Sequence, residues 1–121
     1  MTTERQEQAA LFEWAELMTG QHPELALMFA IPNGQMRKGM PMEPGMQKGV
    51  PDIFLPVACK EWPTPTDPFI GPFIEMKKPG GKLRRSQSNW LNALKAQGYC
   101  AVCCYGFDEA KEKIEWYLGM V

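Results

Sequence analysis

Apolar residues recur at helical spacing between Thr3 and Thr19, with Leu11, Trp14, Ala15 and Met18 on one side, and predict an amphipathic helix. Thr3 followed by Gln6 fits a capping box, and Gly20 supplies the stop. Leu25–Ile31 is apolar throughout and short, a strand ending at Pro32. Residues 33–49 hold four glycines, two prolines and four methionines without any period, a loop. A second strand is expected over Pro51–Ala58, a proline-rich excursion over Cys59–Pro72, and a third strand over Phe73–Lys77. A basic, glycine-containing turn follows over Lys78–Arg85. Ser86 is read as the cap of a helix that runs to Gln97, with Trp90, Leu91 and Leu94 inward and Gly98 behind it. Tyr99–Tyr105 reads as a fourth strand, and a last helix starts at Asp108 with Ile114, Tyr117 and Leu118 inward.

The predicted order is α, β, β, β, α, β, α. An α/β fold follows, a small mixed sheet flanked by helices. The third and fourth strands are joined through a helix, so they should lie parallel with a right-handed crossover. At 121 residues the chain has room for one core, residues 1–121 forming a single domain. No apolar run approaches the roughly 18 residues of a spanning helix, and the charged start is unlike a signal peptide. The chain reads as soluble and cytoplasmic, with no membrane partner.

Charge changes the picture more than composition does. The net charge is −1, which argues against non-specific coating of nucleic acid. Yet residues 1–32 carry one basic residue against five acids, residues 33–95 ten against five, and residues 96–121 two against four. A basic middle between acidic ends suits an anionic ligand, although a solvated surface with chance clustering would look the same. Three of the four cysteines, Cys100, Cys103 and Cys104, fall in the fourth strand and the other is Cys59. One Cys-x-x-Cys without a second pair is a poor zinc signature, and buried reduced thiols are the better reading. A single histidine, His22, removes His-Glu-x-x-His zinc chemistry and leaves a Ser-His-Asp triad no credible base.

The chemistry gathers at Pro51-Asp52 and Glu75-Met76-Lys77. On a strand, residues two apart share a face, so Glu75 and Lys77 stand together while Met76 turns to the core. The same triplet spacing at Glu109-Ala110-Lys111 falls on a helix, where its charges diverge. An exposed edge strand bearing an ion pair would explain Glu75 and Lys77 without function. A metal site explains them with it: Asp52 opens the preceding strand, and if the two strands are neighbours, two carboxylates meet. Such oxygens suit Mg²⁺ or Mn²⁺. On the first helix Glu4, Glu7 and Gln8 share the face of Leu11, Trp14 and Met18, so a polar group there needs a partner unless the first turn frays beyond the sheet.

Read together these motifs resemble the PD-(D/E)XK nuclease superfamily, and within it the virus-type replication-repair nuclease (VRR-NUC) family in its small stand-alone phage form. The resemblance rests on Glu4-x-x-x-Gln8, Ile31-Pro32-Asn33-Gly34, Gly49-Val50-Pro51-Asp52, Phe73-Ile74-Glu75-Met76-Lys77 and Gln87-x-x-Trp90-Leu91. It implies an αβββαβ(α) restriction-endonuclease-like core spanning residues 1–121. Asp52, Glu75 and the main-chain carbonyl of Met76 would hold the metal, with Glu4 as the helix acid and Glu7 as the alternative register. Lys77 would be the catalytic lysine, and Gln8 and Gln87 would be supporting polar residues lining the cleft, Gln87 with the catalytic set and Gln8 facing DNA.

The same resemblance implies hydrolysis of DNA phosphodiesters with Mg²⁺ or Mn²⁺ and no nucleotide cofactor. Its stand-alone viral members resemble Holliday-junction resolvases acting as homodimers, in the cytoplasm of a bacterial or phage-infected cell. Asn33, Arg37, Lys38, Lys48, Lys78, Lys82, Arg84 and Arg85 would then line the DNA, holding phosphates without reading bases. Two other readings stay open: a flap, nick or duplex nuclease of phage DNA processing, and an inactive nucleic-acid-binding adaptor on a nuclease fold.

Overall fold

The computed structural model describes residues 2–32, 43–59 and 70–120. Thr3 caps helix α1 (Glu4–Met18) through the predicted box: its hydroxyl accepts from the Gln6 amide, and the Gln6 side chain accepts from the Thr3 amide. A 3-10 turn, Pro23–Leu27, precedes β1 (Phe29–Ala30), so only the end of the apolar run pairs as a strand. The proline at the start of that turn fixes φ for a helical turn and supplies no amide for a ladder.

Strand β2 is likewise short, Ile53–Phe54, where the sequence suggests Pro51–Ala58. Pro51 and Pro56 bracket it, and neither has an amide to donate. Strand β3 (Ile70–Lys77) is longer than expected, taking up the last residues of the proline-rich excursion. Pro72 is tolerated there because the register shifts between Ile70 and Phe73. Helix α2 spans Arg85–Ala96 with Arg84, not Ser86, at its cap, and the Gln87 side chain accepts from the Arg84 amide at 2.8 Å. Strand β4 (Tyr99–Tyr105) has its expected bounds. Helix α3 (Phe107–Leu118) starts one residue before Asp108 and ends at Gly119 in the left-handed conformation.

The sheet order is β1-β2-β3-β4, with β1/β2 and β2/β3 antiparallel and β3/β4 parallel as predicted. Ile53 sits opposite Ile74, and Lys77 opposite Tyr105. Helices α1 and α3 supply Leu11, Ala15, Ala110 and Ile114 to one core with Ile53, Ile74, Met76 and Cys104. On the alternate positions a row of rings crosses the strands: Phe29 meets Phe54 edge-on, Phe54 stacks on Phe73 at 4.1 Å, and Phe73 meets Tyr99 edge-on. These pairs fix the register of the short strands. Helix α2 packs against β4 with Leu91 buried and Trp90 and Leu94 half-buried.

Among the described helices none is long and apolar enough to cross a membrane. The four cysteines are free. Burial raises the thiol pKa at Cys100 and Cys103 and pushes Cys104 up to about 12, as befits inert core thiols.

Candidate active site

Strand β3 is interior, which rules out the exposed-edge explanation of its charges: Glu75 is 2% exposed and Lys77 5%. Both alternate with Ile74 and Met76, whose side chains are in the α1–α3 core, so the charged pair occupies the opposite face of a strand covered on both sides. Burying two charges in this way needs partners.

The antiparallel pairing of β2 with β3 brings Asp52 to this end of the sheet. Its Oδ2 accepts a hydrogen bond from the Met76 amide at 2.8 Å, while its own carbonyl accepts from the Ile31 amide at 2.7 Å. The tie to Met76 aims the carboxyl at Glu75, to which it is hydrogen-bonded. Two carboxyl groups can share a hydrogen bond only if one of them holds a proton. Burial first, then the bond to Asp52 and the charge of Asp52, push the Glu75 carboxyl up to about 9 against the pull of Lys77. Glu75 Oε1 is the one buried side-chain polar atom without a hydrogen-bond partner among the described residues.

Helix α1 approaches the same end. Glu4 Oε1 stands 3.9 Å from Lys77 Nζ. Glu7, one turn on, faces elsewhere: its Oε1 accepts from the Phe107 amide at 2.8 Å, at the start of α3. Gly106, at φ 102°, makes that approach possible, since a Cβ there would lie 3.0 Å from Glu7 Oε1. The two acids that the sequence leaves interchangeable therefore have different neighbours. Glu4, Gln8, Asp52, Glu75 and Gln87 line one pocket of about 190 Å³. Met76 lines it as well, and with its side chain in the core it is the main chain that forms the wall.

Among the described residues no three His, Cys, Asp or Glu side chains are grouped to hold a metal ion. Two carboxyls meet, Asp52 and Glu75, and Glu4 stands against the lysine. The finding also leaves the cysteines without a zinc cluster there, and His22 stands 3.7 Å from Glu24.

Of the basic positions, Lys48, Lys78, Lys82, Arg84 and Arg85 are exposed and do not line the pocket. Lys48 is placed by its carbonyl, which accepts from Trp90 Nε1 at 3.1 Å. Asn33, Arg37 and Lys38 lie outside the described residues. Arg5, which no motif singles out, lines the pocket beside Glu4 and Gln8. Its only signal in the sequence is its place in the first turn of the helix that carries both.

No curated protein matches this chain. A solved structure of a VRR_NUC domain protein superposes on it with a TM-score of 0.76 at 23% identity, covering 99% of this chain and 91% of that one. That likeness establishes a shared fold. The VRR-NUC domain family matches residues 3–108, a span holding every element from α1 to the start of α3, and the chain belongs to the VRR-NUC family, with its nuclease-type α/β fold.

Proposed function

We propose that this protein is a divalent-metal-dependent endodeoxyribonuclease, selective for branched DNA in the manner of a Holliday-junction resolvase and working as a homodimer. One observation carries the reading: half-buried Asp52 meets buried Glu75, whose Oε1 has no hydrogen-bond partner among the described residues, beside a buried lysine. A divalent cation between the two carboxyls would take the place of the proton that their burial and mutual repulsion otherwise favour.

All the donors at the pocket are oxygens, which fits Mg²⁺ or Mn²⁺. Asp52, Glu75 and the Met76 carbonyl would hold the ion, and Glu4 would act from beside Lys77. When bound, a divalent ion polarises a phosphoryl group and lowers the pKa of an attacking water. The rest falls to the chain's own residues. The Met76 amide keeps Asp52 aimed, and Lys77, held near Glu4, offers an ammonium to a developing phosphate charge. Gln8 and Gln87 present amides along the wall. Lys48, Lys78, Lys82, Arg84 and Arg85 supply exposed positive charge for flanking phosphates, and Asn33, Arg37 and Lys38 belong to the same proposed set. Two strands must be cut at a junction, and among the described residues each chain offers one Asp52–Glu75 carboxyl pair, which is the reason for a dimer.

The test is cleavage of four-way, flap, nicked and linear DNA with Mg²⁺, Mn²⁺ or EDTA, comparing wild type with Lys77→Ala and Asp52→Asn. Metal-dependent nicking, strongest on the four-way junction and lost in both variants, is expected. No cleavage of any DNA would favour an inactive binding adaptor, and preferred cutting of flaps or nicks would move the substrate.

A further inference from the structure

The pocket collects three acids, Glu4, Asp52 and Glu75, and a phosphodiester is itself an anion. With one carboxyl protonated and Glu4 offset by Lys77, one negative charge is left, and with a divalent ion bound the site is only neutral. A phosphate entering here therefore gains no net attraction unless a further cation of the chain faces it. Lys77 is 5% exposed and stands against Glu4, so its charge is already matched by an acid. Among the described residues that line the pocket one cation remains, Arg5.

Arg5 is exposed and sits in the first turn of α1, between Glu4 and Gln8. That turn is held from two sides. The Thr3–Gln6 capping box closes it within the helix, and Glu7 ties it to the Phe107 amide. A guanidinium on a fixed turn at the pocket rim is placed to bind two non-bridging oxygens at once, a geometry an ammonium cannot reproduce.

Resting on the nuclease reading above, we infer that Arg5 is a substrate-contacting residue, a clamp for the phosphate that enters the Glu4–Asp52–Glu75 pocket. This contact differs from those of the exposed turn residues, because it lies at the carboxyl pair and not along the flanking backbone.

The experiment uses the full chain with Arg5→Ala, Arg5→Gln and Arg5→Lys. Binding of a labelled four-way junction and of a matching linear duplex is followed against salt in the Asp52→Asn background, where cleavage does not interfere. Cleavage under single turnover is measured in the otherwise wild-type protein with Mg²⁺. Arg5→Ala and Arg5→Gln should each lower the slope of log affinity against log salt by about one contact. They should slow cleavage by on the order of a hundredfold. Arg5→Lys should restore the salt slope and recover only part of the rate. An unchanged salt slope in the alanine and glutamine variants, both folded by circular dichroism, would overturn the assignment, as would cleavage at the wild-type rate. Should the wild type cut no DNA, the nuclease reading fails while the binding arm still decides whether Arg5 meets phosphate.

Discussion

The Glu7 carboxylate accepts a hydrogen bond from the Phe107 amide at 2.8 Å, joining residues one hundred positions apart. It thereby caps the start of α3 from the first turn of α1, the same turn that carries Glu4 and Arg5 to the pocket. A negative charge at a helix N-terminus is favourable both as acceptor and against the helix dipole. The bond to the Phe107 amide, followed by one from the Thr2 side chain, holds the Glu7 carboxyl below its ordinary value.

Glu7→Ala should lower stability at neutral pH by less than about 1 kcal/mol, a solvent-screened cap. The sign with pH follows from the lowered pKa: the contribution is present above the unfolded value near 4.5 and fades as pH falls through the folded one. Urea midpoints of wild type and variant should therefore differ at pH 7 and converge in acid. A gap that does not narrow at all as the pH falls below 4.5 would mean Glu7 acts by packing.

Glu75 carries the opposite sign. Its folded pKa, about 9, lies above the unfolded 4.5, so the native state binds the extra proton between those values. In EDTA, stability should fall as pH rises from 5 towards 9, and Glu75→Gln should flatten that slope. On the proposed reading Mg²⁺ would compete with the same proton, so its binding should tighten with pH and release protons, as titration calorimetry in buffers of different ionisation enthalpy would record.

Removing Lys77 tests the chemistry apart from the fold. Lys77→Met keeps the aliphatic stem and deletes the charge that Glu4 faces. Cleavage should drop by on the order of 10²–10³-fold, with junction affinity changed far less. Glu4→Gln, which leaves the buried ammonium without its partner, should reduce activity less. Equal rates for wild type and Lys77→Met would take the lysine out of the mechanism.

Gly49→Ala should disturb the approach to Asp52. Gly49 has φ +86°, and a Cβ there would lie 2.9 Å from the Ser86 backbone at the start of α2. A left-handed position and a backbone clash together should cost roughly 1–3 kcal/mol. Thermal unfolding would record the loss, with Gly45→Ala as control. Gly45 also has positive φ but meets nothing within 4 Å, so a similar loss in both would leave the Ser86 contact irrelevant.

The sequence by itself determined whatever rests on neighbours along the chain. The Thr3–Gln6 box, the bounds of β4, the order of elements, the parallel β3–β4 pair and the common face of Glu75 and Lys77 all follow from periods of 3.6 and 2 and from local capping. Tertiary structure decided what depends on contacts far apart in sequence. The strands around Phe29 and Ile53 shrank to two residues each because prolines remove ladder donors and the pairing partner sets how many residues join. The cap of α2 moved to Arg84 because a buried Gln87 turned back to its amide. Glu4 and Glu7 look alike on a helical wheel, and only the positions of Lys77 and Phe107 tell them apart. The raised pKa of Glu75 belongs to the fold as well, since it comes from burial and from the Asp52 carboxyl brought beside it by the β2–β3 pairing.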